Sequence, residues 1–355
     1  MARYIGVMSG TSLDGIDVAL VEVCSTIELI HYKEYEYDTK LKAIIEDIIS
    51  YQKCSIQTIG KLDSKLGYMY ANAIERFIEE FEIPKDNIEA IGLHGQTIWH
   101  ESDCEFGFSM QLGSGAIVAK YLDIPCVCDF RSSDIANSGL GAPLAPAFHR
   151  YLFGNSSLCV VNIGGIANIT ALQDDSVGYD LGCGNMLLDL WIQKHLNKPY
   201  DSDGKWASGG KVDYGLLEMF LDDEYIKKPY PKSTGKEYFN LSWLEDKLAS
   251  YPTTLTPQDI QATLLEFVAQ TISNEVLRFN PDILMLCGGG ANNKALVAKI
   301  QQLIPNIQVA TLKWANELEA MMMAWLAHQR INHIPIDLCH ITNAKKPTIL
   351  GAVYE

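Results

Sequence analysis

The chain has 355 residues, 48% hydrophobic and 20% charged, enough apolar surface for two domain-sized cores and no compositional sign of disorder. With 28 Lys and Arg against 44 Asp and Glu the net charge is −16, which disfavours nonspecific nucleic-acid binding, because that depends on basic side chains neutralising phosphates. Nine cysteines without a Cys-x-x-Cys pair, several inside apolar runs, read as small hydrophobes in a reducing compartment; with no signal-peptide pattern and no apolar run of ~18 residues, the expectation is a soluble cytoplasmic protein that does not bind membranes.

The first element is a hairpin. Two apolar runs flank a turn spanning Gly10, Thr11, Ser12, Leu13, Asp14, Gly15, Ile16 and Asp17. Glycines let backbone N–H groups approach an anion, the hydroxyls add donors, and Asp14 and Asp17 could hold the Mg²⁺ of a nucleotide directly or through water. An ordinary β-hairpin with a polar turn has the same composition, so both readings stand on this stretch alone. Apolar residues at helical spacing from Ile59 to Phe81 predict a long amphipathic helix. Strands follow at Ile88–Leu93, ending at His94-Gly95-Gln96-Thr97, and at Cys126–Phe130, ending at Arg131-Ser132-Ser133-Asp134, and polar clusters at strand ends are where α/β proteins place ligands. Ser138-Gly139-Leu140-Gly141-Ala142-Pro143 reads as a domain junction, giving domains at 1–145 and 146–355.

A second hairpin, Leu158–Leu172, repeats the plan of the first around Gly164, Gly165 and Asn168, which predicts two related halves. Thr256-Pro257-Gln258-Asp259 carries an N-cap hydroxyl, a proline in the first turn and an acidic residue three after the cap, opening a helix to about Phe279. The strand Asp282–Cys287 then runs into Gly288, Gly289, Gly290 and Asn292, a glycine turn before a helix that can accept an anion or a flat ligand. Met321-Met322-Met323 lies in an expected helix from Asn316 and reads as core, with Glu319 as a capping-box partner of Asn316.

Walker and Rossmann fingerprints are missing: Gly235-Lys236 is followed by Glu237, and Gly288-Gly289-Gly290 lacks the dinucleotide spacing. The closing glycine of Gly10–Gly15 falls one residue late for a hydrolase nucleophile elbow. His94 and His100 have no accompanying Cys or carboxylate set at metal-ligand spacing, and His94, at its strand end, is the better candidate for a substrate contact. In Tyr179-Asp180-Leu181-Gly182-Cys183-Gly184-Asn185 a carboxylate stands between a strand and a glycine-rich turn; Asp180 is either a general base or a cap for the helix that follows.

Six segments in order resemble the anhydro-N-acetylmuramic acid kinase family of the duplicated sugar-kinase and actin-like ATPase superfamily: Met8–Asp17, His94–Thr97, Gly141–His149, Asn162–Asn168, Pro231–Asn240 and Cys287–Asn293. The resemblance is nearly full length. It implies two related α/β domains with actin-like, ribonuclease H-like mixed sheets flanked by helices, and an active site in the cleft between them. It implies ATP and Mg²⁺, with Gly10–Asp17 on the phosphates, Gly164, Gly165 and Asn168 contributing from the second domain, Gly288, Gly289, Gly290 and Asn292 at the adenosine, and Asp180 as the catalytic aspartate. His94, Arg131, Asp134 and Glu319 are the candidate sugar contacts. The implied reaction converts 1,6-anhydro-N-acetylmuramic acid, ATP and water to N-acetylmuramic acid 6-phosphate and ADP in a homodimer.

Three stretches depart from the family pattern. Leu181 and Cys183 replace the usual Thr and Pro beside Asp180, Arg131 is the one arginine in Phe130–Asp134, and Asn316–Ala320 keeps only Glu319 and Ala320. The lactyl carboxylate of a muramic sugar calls for an arginine, so the second departure opens a kinase for an uncharged anhydro sugar such as levoglucosan as an alternative. A sensor of sugar or nucleotide without turnover is a third reading.

Overall fold

The computed structural model describes every residue except Met1, Thr11, Ser12, Asp14, Ser25, Asp103, Asn155, Asp174, Asp175, Pro231, Lys313, Ala315 and Asn316. Expectations that fall on Thr11, Ser12, Asp14 and Asn316 therefore lie outside the described residues. The strands, in chain order, are β1 (Ala2–Met8), β2 (Gly15–Val23), β3 (Ile27–Glu36), β4 (Ile88–Leu93), β5 (Gln96–Glu101), β6 (Phe108–Leu112), β7 (Cys126–Cys128), β8 (Leu158–Ile163), β9 (Ile166–Ala171), β10 (Val177–Cys183), β11 (Ile283–Cys287), β12 (Gln308–Thr311) and β13 (Ala352–Tyr354).

The chain forms two compact units, 1–152 with 317–355, and 153–316. The first holds a sheet in the order β13-β7-β4-β1-β2-β3, the second a sheet in the order β10-β9-β8-β11-β12. In both, three successive antiparallel strands come first, followed by strands that pair parallel to the first of them: β4 beside β1 and β7 beside β4 in one unit, β11 beside β8 and β12 beside β11 in the other. Each parallel step needs a helical crossover. Those crossovers include Ile56–Glu80 before β4, Gly115–Leu122 before β7, Pro257–Phe279 before β11 and Lys294–Leu303 before β12. The shared order is that of two related halves with mixed sheets.

Local chemistry starts the two long helices, the second where the sequence places it and the first at Ile56, three residues before the expected Ile59. Ser55 Oγ accepts the Thr58 N–H at 3.0 Å, and Thr256 Oγ1 accepts the Asp259 N–H at 3.2 Å. The first helix buries Leu62, Leu66, Tyr70, Ile74 and Phe77 along one stripe, whereas Pro257–Phe279 is buried on nearly every face. Among the described residues, no helix is long and apolar enough to cross a membrane.

The expected boundary at 145/146 divides the chain differently from these units, because the C-terminal segment returns to the first. The helix Leu318–Ile331 buries Leu318, Ala320, Met321, Met322, Met323 and Ala324, packing on β1 and β4. Its backbone comes so close that a Cβ on Gly6 would stand 1.8 Å from Ala320 O, and one on Gly92 2.0 Å from Met323 O. Strand β13 then extends the same sheet beside β7. The expected junction 138–143 lies inside the first unit, tied down by Leu140 N donating to Thr342 O at 2.9 Å. Sequence order could not show this, since the contacts that bind 317–355 to the first unit are more than 150 residues away in the chain.

Gly92→Val should therefore lower the urea midpoint by the equivalent of about 1–3 kcal/mol or more, the scale of an overpacked core. A midpoint equal to that of the unsubstituted chain would mean that the helix does not rest on the sheet this closely.

Candidate active site

In the first unit the hairpin between β1 and β2 closes where Met8 faces Asp17. Its base is held from outside: Ser9 Oγ and Tyr70 OH share a hydrogen bond of 2.6 Å, and Gln96, with no exposed surface, donates Nε2 to Gly10 O at 3.4 Å. Leu13 turns inward in a left-handed conformation, φ 57°, with its N–H on Gly10 O at 3.2 Å. Gly15 and Ile16 are buried in β2, so of the described hairpin residues Asp17 is the one that presents a carboxylate. Burial pushes its carboxyl up to about 6, against the lowering effect of a 2.6 Å hydrogen bond from Tyr32 OH, and the charges of Glu34 and Glu317 add to the rise. A carboxyl this uncomfortable as an anion fits a cation that takes its remaining ligands from phosphate and water. Among the described residues no group of three side chains could hold a metal by itself.

Arg131 follows β7 and organises the sugar-contact candidates. Its Nη1 donates to Gly141 O at 2.7 Å and its Nη2 to His94 Nε2 at 2.9 Å, while Nε is buried without a partner among the described residues. His94 donates Nδ1–H to Gly95 O at 2.8 Å, which fixes Nε2 as the acceptor. Burial and the neighbouring guanidinium hold His94 neutral, lowered to about 3, so it orients Arg131 and does not trade protons near neutrality. Burial also lowers Arg131, to about 10, with Glu319 and Asp134 opposing that shift. Glu319 opens to solvent on one side, yet the protein around it raises its carboxyl; Asp17 adds to the rise and Arg131 counters it. Asp17, Arg131 and Glu319 thus form one charge cluster.

Asp134 does not face outward with them. It has no exposed surface, and its oxygens accept the Gly141 N–H at 2.7 Å and the Thr342 hydroxyl at 3.0 Å. Asp134, expected as a sugar contact, is buried here and holds the Gly141 loop, and through it Arg131, against the C-terminal segment.

In the second unit three backbone turns converge. The Gly184 N–H donates to Gly165 O and the Asn185 N–H to Gly164 O, each at 2.8 Å, and Asn185 Nδ2 reaches Ile163 O at 3.1 Å. Gly288, at φ 76°, passes so near the β8 end that a Cβ would stand 2.2 Å from Asn162 Oδ1. Gly290 packs equally tightly on Ile163, whereas a Cβ on Gly289 would meet only Asn185 Nδ2, at an ordinary 3.9 Å, and Asn292 is exposed. Gly164, Gly165 and Gly288–Asn292 therefore share one rim, and Asn168 is the cross-strand neighbour of both Asn162 and Asp180.

Asp180 lies on β10, an edge strand, at a register shift between Asp180 and Gly182. Such a bulge re-aims a side chain. Its Oδ2 accepts Ser233 Oγ–H at 2.8 Å and the Thr234 N–H at 3.1 Å, its own N–H donates to Lys232 O at 3.2 Å, and its carbonyl accepts Tyr225 OH at 2.8 Å. Burial raises its carboxyl, Ser233 and Thr234 pull it back, and Glu237 pushes it up. The capping alternative fails, since Asn185 occupies the N-cap of Met186–Leu196. Tyr225, Ser233, Thr234 and Tyr238 line a cavity of 740 Å³ in this unit.

The family model described as anhydro-N-acetylmuramic acid kinase matches residues 2–355. The anhydro-N-acetylmuramic acid kinase of Sulfurovum sp. (strain NBC37-1) is 47% identical, over 99% of this chain and 99% of its own length. The proteins of the same name from Sulfurimonas denitrificans and Aliivibrio fischeri are 46% and 44% identical, covering 99% and 100% of this chain and 99% of their own lengths.

This chain belongs to the anhydro-N-acetylmuramic acid kinase family.

Membership in a kinase family gives the departures in sequence a context. Leu181 and Cys183, which replace the usual family residues, are 0% and 1% exposed and belong to the hydrophobic core of the second unit. Four contributors to the site carried no role in the sequence reading. Ser233 and Thr234 fall in the quoted segment Pro231–Asn240, where the motif signalled that something matters without saying what. Tyr225 and Tyr32 gave no signal, since a tyrosine in a helix or an alternating strand reads as half-buried packing.

Because Tyr32 lowers the Asp17 carboxyl, Tyr32→Phe should move its titration above about 6 when followed by carbon-13 NMR. An unfolded carboxyl titrates near 3.9, so the folded chain binds the extra proton and stability falls as pH rises from about 4 to about 6. The variant should extend that fall to higher pH, and an unchanged titration would remove Tyr32 from this role.

Proposed function

We propose that this chain opens 1,6-anhydro-N-acetylmuramic acid with water and phosphorylates O6 from ATP, giving N-acetylmuramic acid 6-phosphate and ADP. The observation that carries the reading is Asp180, half-buried, raised by burial and held through one carboxylate oxygen, in a chain matched over its length by this kinase family.

Asp180 takes a proton from water as the water oxygen bonds to the anomeric carbon. The C1–O6 bond breaks and its electron pair stays on O6, which attacks the γ-phosphorus in line while the bond to the ADP oxygen breaks. The overall balance is anhydro sugar, water and ATP in, and phosphorylated sugar, ADP and one proton out. Asp180 suits the first step because burial raises its carboxyl above the ordinary range, which makes the carboxylate a stronger base.

Gly10, Thr11, Ser12, Leu13, Asp14, Gly15 and Ile16 are assigned to the phosphates, with Asp14 and Asp17 to Mg²⁺. Mg²⁺, when bound, offsets the charge that develops on the transferring phosphoryl group. Gly164, Gly165 and Asn168 are assigned to the phosphates from the second unit, and Gly288, Gly289, Gly290 and Asn292 to the adenosine. Arg131, its planar fork fixed by His94 and Gly141, is the partner for the lactyl carboxylate, and Glu319 accepts from a sugar hydroxyl. Levoglucosan has no carboxylate for Arg131 and should be a poorer substrate. The reading carries with it a cytoplasmic homodimer acting on small molecules, without nucleic-acid or membrane partners; the net charge of −16 supports the exclusion of nucleic acid.

Asp180→Asn should keep MgATP binding but lose sugar-dependent ADP release by at least ~10²-fold, the scale of general-base catalysis. Near-normal turnover in this variant would remove Asp180 from its role. In the unsubstituted chain, ADP release with levoglucosan but not with the muramic sugar would overturn the substrate, and no sugar-dependent release would favour the sensor.

A further inference from the structure

Asp180 is gripped at every polar position except one. Its N–H and C=O are taken by Lys232 O and Tyr225 OH, and Oδ2 accepts both Ser233 Oγ–H and the Thr234 N–H, whereas Oδ1 has no hydrogen bond from any described residue. The segment that makes these contacts is itself anchored. Lys232, 5% exposed, runs its ammonium over the Tyr225 ring and donates to Tyr225 O at 3.4 Å and Ile226 O at 3.2 Å. Asp223 ties the start of the segment to residues beyond its end, accepting the Tyr225 N–H at 3.0 Å, Tyr238 OH at 2.9 Å and Trp243 Nε1–H at 3.0 Å. Tyr225, Ile226, Lys232, Ser233 and Thr234 therefore form a strap beside the edge strand β10, and nothing else described touches the Asp180 carboxylate by hydrogen bond.

We propose that Ser233 is a positioning residue for this kinase: its hydroxyl, with the Thr234 N–H, pins Oδ2 of Asp180 so that Oδ1 alone is presented to the attacking water.

A carboxylate on a freely rotating Cβ–Cγ bond would offer either oxygen in changing directions, and two donors on one oxygen remove that freedom. The same donors favour the ionised form against the burial that opposes it, so the strap keeps the base charged as well as aimed. Thr234 uses its backbone and tolerates side-chain change in this respect, whereas Ser233 acts through its hydroxyl, which makes it the position where the contact can be removed singly. Ser233 is exposed, so its truncation leaves no buried hole.

The inference rests on Asp180 being the base, and the experiment separates the two. The pH profiles of kcat and KM for the anhydro sugar and MgATP are compared for the unsubstituted chain, Ser233→Ala, Ser233→Thr and Asp180→Asn. Removing the hydroxyl should lower kcat about 10-fold near neutral pH and shift the acid limb of kcat upward by about one pH unit, with both KM values within about two-fold. Ser233→Thr, which restores a hydroxyl, should recover both the rate and the acid limb. If Asp180→Asn turns over normally, the reading of Asp180 fails. If Asp180→Asn is inactive while Ser233→Ala keeps the original kcat and acid limb, or raises KM alone as a substrate contact would, the inference fails and that reading stands.

Discussion

The helix Leu318–Ile331 meets β1 and β4 backbone to backbone at Gly6 and Gly92, with no side chain between them. That contact fixes more than a core. It seals one face of the sheet that ends in the Asp17 hairpin, it starts the helix with Glu319 close enough to sense Asp17 and Arg131, and it brings the C-terminal segment back so that Thr342 can bond Asp134. A side chain at either glycine would push the helix outward and loosen all three relationships at once, because close-packed interiors transmit displacement instead of absorbing it.

Each unit then meets the same electrostatic problem with a different solution. Taking a carboxylate from water raises its pKa, and the chain must choose between neutralising it and supporting its charge. Asp17 receives one tyrosine hydroxyl but has Glu34 and Glu317 as neighbours, so it stays high, at about 6, as suits a residue assigned to a cation. Asp180 receives a hydroxyl and an amide against burial and Glu237, which suits a residue that must be ionised at rest and basic in action. Asp134 is fully buried with a hydrogen bond on each carboxylate oxygen, and so became scaffold although it lies three residues from Arg131 at the same strand end. Position in sequence alone does not separate such carboxylates; burial, and whether the donors fall on one oxygen or on both, does.

Much of the fold was legible because it is written in local chemistry. Ser55 and Thr256 cap the helices that their patterns predict, β4 occupies the residues expected of it, and the repeated hairpins at Gly10 and Gly164 stand in sheets of the same order. Candidate site residues could be named where polar or glycine-rich residues stand at or beside a strand, as at Arg131, Gly288 and Asp180. It was illegible where the contribution comes from a distant segment. Tyr225 and Ser233 reach Asp180 across 45 and 53 residues, and nothing in an isolated tyrosine or serine announces that partner.

By itself the sequence determined several of the strands and helices, since periodicity, caps and glycine turns act within a few residues, and it pointed to the family through six ordered motifs. Only the tertiary structure decided which unit owns the last 39 residues, 317–355, which of the candidate carboxylates is free to act, and which oxygen of Asp180 is held. The reason is that burial and hydrogen-bond pairing are properties of neighbours in space. A chain reveals its neighbours in sequence directly, and those in space only once helix, sheet and strap have closed around the same carboxylate.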